Sequence, residues 1–302
     1  MRQPVRGDLK RFAARVIATF GRTSLLETPD GVTWSAVRRG RRGDLVVGDE
    51  VIASESGPAQ AAVESIEPRR SLLYRADDFR TKELAANVDQ VLIVFASRPS
   101  FNLWFLWKAL VAAKAAGITA IIVRNKTDLG EGAEAAELAL DQMRSLGWQT
   151  LAVSARTQPE AARAALLNIV HGKNSLLVGQ SGMGKSTLLN LLVPEAQART
   201  REFSERLDLG KQTTSAARWF RLPDGGAIVD TPGFQEFGLV HLSQQQLIEG
   251  FPEFEPYLGA CRFIDCRHRA EPDCAIRRAV AEGAIARERY DFYGALSDAR
   301  TR

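Results

Sequence analysis

Eight residues near the middle of the chain restrict its fold more than any other stretch. Gly179-Gln180-Ser181-Gly182-Met183-Gly184-Lys185-Ser186 fits G-x-x-x-x-G-K-[ST], between a short apolar run over 175–178 and an amphipathic run over Lys185–Leu192. Strand, glycine loop and helix in that order let backbone N–H groups wrap a phosphate chain. The glycines remove Cβ atoms from the line of approach, and the helix start adds its partial positive charge. In this setting Lys185 is expected to reach β and γ phosphates. The Ser186 hydroxyl is expected to join a Mg²⁺ shell, with Thr187 beside it on the same turn.

The flanking pattern fits this setting. Residues 88–96 (VDQVLIVFA) read as a buried strand, 103–116 as a helix and 118–123 as a second buried strand. A helix over 133–146, a strand over 150–153 and a helix over 158–170 come next. Such alternation predicts a largely parallel sheet with helices on both faces. Residues 218–222 and 226–229 flank Pro223-Asp224-Gly225 and predict an antiparallel hairpin at the sheet edge. Upstream, from 15 to 75, short runs such as Val16-Ile17-Ala18 and Leu45-Val46-Val47 are broken by Pro29-Asp30-Gly31, Gly40, Gly43 and Gly48-Asp49-Glu50. That spacing predicts a small all-β barrel. Beyond Val240 the chain reads as mostly helical. The expected units are a barrel over 1–80, an α/β nucleotide-binding unit over 81–240 and a helical unit over 241–302.

Asn125-Lys126-Thr127-Asp128 follows the strand over 118–123, at the sheet edge where open α/β sheets bind ligands. The Asp128 carboxylate can accept parallel hydrogen bonds from N1–H and the 2-amino group of guanine, a donor pair that adenine lacks. Lys126 is expected to lay its stem along the base and Asn125 to tie the loop together. Val153-Ser154-Ala155 is expected to offer a backbone N–H to the guanine O6. Downstream, Asp230-Thr231-Pro232-Gly233 follows the strand over 227–229. Asp230 is expected to hold Mg²⁺ through water, and the Gly233 N–H to sense the γ-phosphate. Residues 196–215 are polar without a firm period, as a switch would be, and Thr213 or Thr214 could bring a further hydroxyl to Mg²⁺. Residue 234 is Phe, where many small GTPases carry a Gln that orients the attacking water. The expectation is slow turnover completed by a partner, with Gln212 as the candidate orienter.

The chain has 3 cysteines, Cys261, Cys266 and Cys274, close together in sequence. A disulfide framework would need an even number spread over the fold. With His268 they make a closed three-thiolate, one-imidazole set suited to a structural Zn²⁺. Zinc would fold a segment too small for its own core, and Arg262, Arg267, Arg269, Arg277 and Arg278 would be displayed around it.

In chain order the motifs run NKTD, VSA, phosphate loop, QTT, DTPG, whereas GTPases ordinarily begin with the phosphate loop. With this permuted order, the GDEV turn at 48–51, GQSGMGKSTLLN, DTPGF and the cysteine cluster, the sequence resembles the RsgA (YjeQ) family. The resemblance covers nearly the whole chain. It implies an OB-like barrel, a circularly permuted GTPase domain and a zinc-binding domain. It also implies a late assembly factor that hydrolyses GTP on the small ribosomal subunit, contacts its rRNA and helps release other factors. The family commonly carries His within GxHTT, where this chain has Gly210-Lys211-Gln212-Thr213-Thr214. Either Gln212 replaces that His or the mechanism differs. The permutation leads the second switch toward the zinc segment, with the barrel expected to enter from the opposite end of the core. Two other readings are a nucleotide-regulated RNA-binding module with negligible turnover and an ATP-dependent kinase or nucleotidase.

Composition bounds the partners. With 302 residues, 45% hydrophobic and 25% charged, the chain is outside the disordered and collagen-like classes. No apolar run approaches the roughly 18 residues a membrane span needs. Charges also interrupt any signal-like core in MRQPVRGDLKRFAARVIATFGR, so a cytoplasmic protein with no membrane partner is expected. Nothing suggests a dimerisation face, so a monomer is expected. The net charge is only +4, but Arg38, Arg39, Arg41 and Arg42 concentrate positive charge in a form suited to a polyanion.

Overall fold

The computed structural model describes residues 10–21, 23–38, 45–77, 80–196, 217–232 and 234–300. The first five strands are β1 (Arg11–Phe20), β2 (Thr23–Glu27), β3 (Thr33–Arg38), β4 (Glu50–Gly57) and β5 (Gln60–Ile66). They close into a barrel because β1, 10 residues long, pairs with β2 through its second half and with β4 through its first. Inward positions alternate along each strand and are mostly small: Ala14, Val16, Leu26, Ala36, Val51, Ala53, Ala61 and Val63. A narrow barrel has room for little more. Phe12 and Trp34 pack against this core with ring centroids 4.9 Å apart.

A joint of buried polar contacts fastens the barrel to the segment over 69–87. Gly48 has φ +94°, and a Cβ there would collide with the Ala86 carbonyl. Asn87 Nδ2 donates to the Gly48 carbonyl at 2.9 Å. Asp49 is fully buried, accepts from the Val46 N–H at 2.9 Å and from Arg69 Nε at 2.7 Å, and Arg69 also reaches Glu83 at 2.7 Å. The GDEV turn therefore needs both its glycine and its acid. Strands β6 (Leu72–Asp77) and β7 (Arg80–Ala86) form a separate antiparallel pair across the expected boundary between 80 and 81.

The second layer system is a sheet of β8 (Gln90–Phe95), β9 (Thr119–Arg124), β10 (Gln149–Ala152), β11 (Asn174–Gly179), β12 (Arg218–Arg221) and β13 (Ala227–Asp230). Its order is β10-β9-β8-β11-β13-β12, parallel except for β12. Helices α1 (Leu103–Ala115), α2 (Ala133–Ser145), α3 (Pro159–Val170) and α4 (Lys185–Leu192) make the connections. All six residues of β8 are buried: 91–95 is an unbroken apolar run, and Gln90 is paired through Nε2 with Ser175 Oγ at 2.8 Å.

Two expectations from the sequence are corrected. The 218–229 hairpin forms, but β12 is not a free edge: Ala18 of β1 pairs with Arg218, joining barrel and central sheet into eleven strands. The barrel thus adjoins the β12 edge of the central sheet, because the part of β1 beyond its pairing with β4 leaves an edge for β12. Likewise the chain after Asp230 does not run straight to the cysteine segment. Phe237 first bridges Arg75, and the Gly238 N–H donates to the Tyr74 carbonyl at 3.0 Å.

The carboxyl-terminal segment contains α5 (Gln244–Glu249), a 3₁₀ turn (Pro252–Tyr257), α6 (Ala275–Ala281) and α7 (Arg287–Ala299). It packs on α1, whose LWFLWKALVAAKA is apolar nearly all round because the sheet covers one side and this segment the other. Trp104 and Trp107 each lie 5.3 Å from the Phe292 ring. The Arg289 guanidinium sits 5.0 Å from the Trp107 ring and 4.6 Å from the Phe251 ring, with Glu253 at 2.5 Å. No helix among the described residues is long and apolar enough to cross a membrane.

Asp49→Ala removes the buried acceptor of Arg69 and should destabilise the protein by about 3 kcal/mol, read as a lower urea midpoint. Asp49→Asn should cost less, since the carboxamide keeps one acceptor oxygen. An unchanged midpoint in the alanine variant would show that this joint contributes little.

Candidate functional site

Parallel strands deliver their carboxyl ends to one edge of the sheet, and the predicted motifs meet there. Strand β11 ends at Gly179, opposite Val94 of β8, where a Cβ would strike the Val94 carbonyl oxygen. The loop then turns into α4 at Lys185 through Gly184, whose φ is +92°. A Cβ on Gly184 would occupy the place of Asn125 Nδ2. Ser181, Ser186 and Thr187 lie along this loop and the first turn of α4, while Met183 is buried beneath it.

Asn125, at 2% exposure, holds the arrangement together. Its Nδ2 donates to the Met183 carbonyl at 3.1 Å, and its Oδ1 accepts from the Ala155 N–H at 3.2 Å. The Asn125 N–H donates to the Phe95 carbonyl at 2.8 Å, and the Thr127 N–H to the Val153 carbonyl at 3.2 Å. Lys126 adopts a left-handed φ of +60° and donates through Nζ to the carbonyls of Gly182 at 2.6 Å and Arg98 at 2.9 Å. The Ser154 hydroxyl donates to Asp128 Oδ1 and lies 2.6 Å from Thr157 Oγ1. Asp128 and Ser154 are thus brought together as acceptor and orienting donor. The Ala155 N–H is not free, because Asn125 Oδ1 engages it.

On the phosphate side, Lys185 Nζ donates to the carbonyls of Gly179 at 2.6 Å and Gln180 at 2.9 Å. Burial lowers its pKa, and the charge of Asp230 opposes that shift. Asp230 is raised by desolvation, with Lys185 and Arg218 pulling the other way. Leu177 in β11 and Arg218 in β12 are its cross-strand neighbours. Thr231 Oγ1 reaches the Leu177 carbonyl at 3.4 Å. Phe234 turns back by a hydrogen bond from its N–H to the Thr231 carbonyl at 3.2 Å. Its ring is buried 4.7 Å from Phe237 and 6.2 Å from Phe105, centroid to centroid. The Asp230 carboxylate and the Ser186 hydroxyl on the first turn of α4 are oxygen ligands of the kind a nucleotide-bound Mg²⁺ takes, and the Lys185 ammonium, within electrostatic reach of Asp230, suits the phosphates instead. Gln212, Thr213, Thr214 and Gly233 lie outside the described residues, as do Arg39, Arg41 and Arg42.

Three contributors were not singled out from sequence. Asn102 caps α1 through the Trp104 N–H, and its own N–H donates to Gln180 Oε1 at 2.8 Å, so the phosphate loop touches the helix that carries the carboxyl-terminal segment. An Asn directly before an apolar helical run is a readable cap signal. Thr157 supports Ser154, and Arg218 lies beside Asp230; both depend on loop geometry or strand register that spacing does not reveal.

Cys261, Cys266, His268 and Cys274 present ligand atoms all within 4.8 Å of one another. The Sγ atoms of Cys261 and Cys274 are each 3.5 Å from His268 Nδ1 and 3.9 Å from each other. A tetrahedron with Zn–S about 2.3 Å and Zn–N about 2.0 Å has edges of about 3.8 Å and 3.5 Å, so the set fits one Zn²⁺. The Tyr290 hydroxyl donates to the His268 carbonyl at 2.7 Å, and Tyr293 to that of Arg267 at 2.7 Å. Glu271 accepts from the N–H groups of Arg267, Arg269 and Ala270. Desolvation pushes its carboxyl up, but these bonds and one from its own N–H together bring it down to about 2.

A profile of the RsgA GTPase family matches residues 66–240. A protein named small ribosomal subunit biogenesis GTPase RsgA from Paraburkholderia xenovorans is 48% identical over 292 residues, 95% of this chain and 92% of its own length. Its namesake from Ralstonia nicotianae is 48% identical over 285 residues, covering 93% and 90%. Among solved structures, YjeQ from Thermotoga maritima aligns with a TM-score of 0.70 at 25% identity over 97% of this chain and 99% of that one. YloQ, described as a circularly permuted GTPase, aligns with 0.69 at 24% over 99% and 98%.

Asn125→Ala deletes two hydrogen bonds between loops, together about 2 kcal/mol, and should weaken GTP binding about 30-fold with the far-ultraviolet dichroism preserved. Unaltered affinity in a titration with a fluorescent GTP analogue would mean that the loops hold their places without it.

Proposed function

The chain belongs to the RsgA GTPase family and is a GTP hydrolase with a role in ribosome biogenesis, and from that premise we propose that its turnover is completed on the small ribosomal subunit. Phe234 carries this reading. Its ring is buried against Phe237, so the position after Asp230-Thr231-Pro232-Gly233 offers no group to orient an attacking water. Gln212 is the residue of this chain assigned to that task, with the subunit supplying the remaining geometry.

In the proposed site Asp128 pairs with guanine N1–H and the 2-amino group, one carboxylate oxygen being oriented by Ser154. The Lys126 stem lies along the base, and guanine O6 shares the Ala155 N–H with Asn125. Backbone N–H groups from Gln180 to Thr187 take the phosphates, and Lys185 exchanges its two carbonyl partners for β and γ oxygens. Ser186 and Asp230 would hold Mg²⁺, whose charge offsets that developing on the phosphoryl oxygens. By the sequence reading, Thr213 or Thr214 would bring a further hydroxyl to Mg²⁺ and the Gly233 N–H would sense the γ-phosphate. Cys261, Cys266, His268 and Cys274 hold a structural Zn²⁺ with no open position for substrate.

In this proposal the outer units, 1–80 and 241–302, grip rRNA and the middle one, 81–240, times release of assembly factors. The protein acts as a cytoplasmic monomer. Phosphate release by the purified protein alone, with isolated small subunits and with large subunits tests the proposal. Small subunits alone should raise the rate about a hundredfold, the scale of a correctly positioned water-activating group. Equal rates in all three mixtures would contradict it.

A further inference from the structure

Between the ligands Cys261 and Cys266 the chain carries Arg262-Phe263-Ile264-Asp265 at the outermost point of the zinc loop. Ile264 is 109% exposed and Phe263 41%. Isolated exposed apolar residues need no explanation, but two adjacent ones on a short loop anchored at both ends by metal ligands are held out of any core. The Cys266 N–H donates to the Phe263 carbonyl at 3.3 Å, and the Arg262 N–H to that of Asp273 at 3.4 Å, so the tip has a defined turn. The Arg262 guanidinium stands 5.5 Å from the Phe263 ring.

The surroundings argue for one kind of occupant. Arg262, Arg267, Arg277 and Arg278 are exposed in the same zinc segment; of the acids beside them, Glu271 is engaged by backbone N–H groups and Asp273 pairs with Arg262 at 3.3 Å. An apolar point on a segment rich in exposed arginines suits a polyanion that also presents flat apolar faces. Asp265, beside Ile264, would be repelled by a phosphate backbone but can accept from a base N–H. Folded RNA offers all three features where unpaired bases splay out of a loop or bulge.

We propose that this tip is a base-reading wedge: Phe263 stacks on an unpaired base of small-subunit rRNA, Ile264 enters beside it, Asp265 accepts from a base edge and the arginines take flanking phosphates. The proposal rests on the small-subunit reading of the protein's function and specifies which residues of the zinc unit touch bases.

Binding of the zinc-loaded full-length protein to isolated small subunits is measured across a salt series for the wild type, Phe263→Ala, Ile264→Ser and Arg262→Gln. Zinc content and subunit-free GTP hydrolysis are followed as controls on folding and should stay unchanged. Phe263→Ala and Ile264→Ser should each weaken binding about tenfold, the scale of one lost stacking contact, with the slope of log K against log salt unaltered. Arg262→Gln should reduce that slope by about 0.7–0.9, one phosphate contact. A photo-crosslinker placed at position 264 should label rRNA. Wild-type affinity in both apolar variants, or crosslinks to ribosomal protein alone, overturns the wedge and leaves the small-subunit reading standing. Failure of the wild type to bind small subunits overturns that reading.

Discussion

The Asn125 carboxamide is the contact on which the nucleotide site depends. It joins the loop after β9 to the phosphate loop through Met183 and to the loop after β10 through Ala155. A buried amide with both ends paired has one stable orientation, and leaving either end unpaired costs more than the bond itself contributes. Gly184 is required for the same reason, since any side chain there would displace the amide. Chain order is irrelevant to this contact. A parallel sheet sends every carboxyl end to the same edge, so a chain reopened elsewhere rebuilds the same site with its motifs in a different sequence.

The site is also where the outer units attach. Asp230 pairs across β13 with Arg218 of β12, and Arg218 pairs with Ala18 of the barrel. On the other side, Gln180 of the phosphate loop accepts from the Asn102 N–H at the start of α1, and α1 carries Phe292, Phe251 and Arg289 on its outer face. Phe234 touches Phe105 in that helix and Phe237, which bridges the β6–β7 pair. Each of the outer units therefore lies within a few side chains of a group that would contact the phosphates or their metal.

Much of this was legible in the sequence because the signals were local. The all-buried run of β8, the glycine loop, NKTD and the spacing of the zinc ligands each declare themselves within a dozen or so residues. What was not legible depended on register and packing across distant segments. The free edge expected at β12 is taken by β1, since nothing in RWFR announces a partner far upstream in the chain. The run over 103–116 reads as a helix, but nothing in it announces that the carboxyl-terminal segment supplies its second cover. The Ala155 N–H was expected to await a base, and only the side-chain rotamer of Asn125 reveals that it is already engaged. Thr157 and the Asn102–Gln180 contact depend on loop conformation in the same way.

The central claim is that Asp128, oriented by Ser154 beside the Asn125 tie, reads guanine. The most direct measurement is the nucleotide preference of Asp128→Asn, by competition among GTP, xanthosine triphosphate and ATP. The account predicts that GTP affinity falls about a hundredfold, as expected for losing a charge-assisted pair of hydrogen bonds, while xanthosine triphosphate becomes the preferred ligand. Undiminished preference for GTP, or a preference for ATP in the unaltered protein, would contradict it.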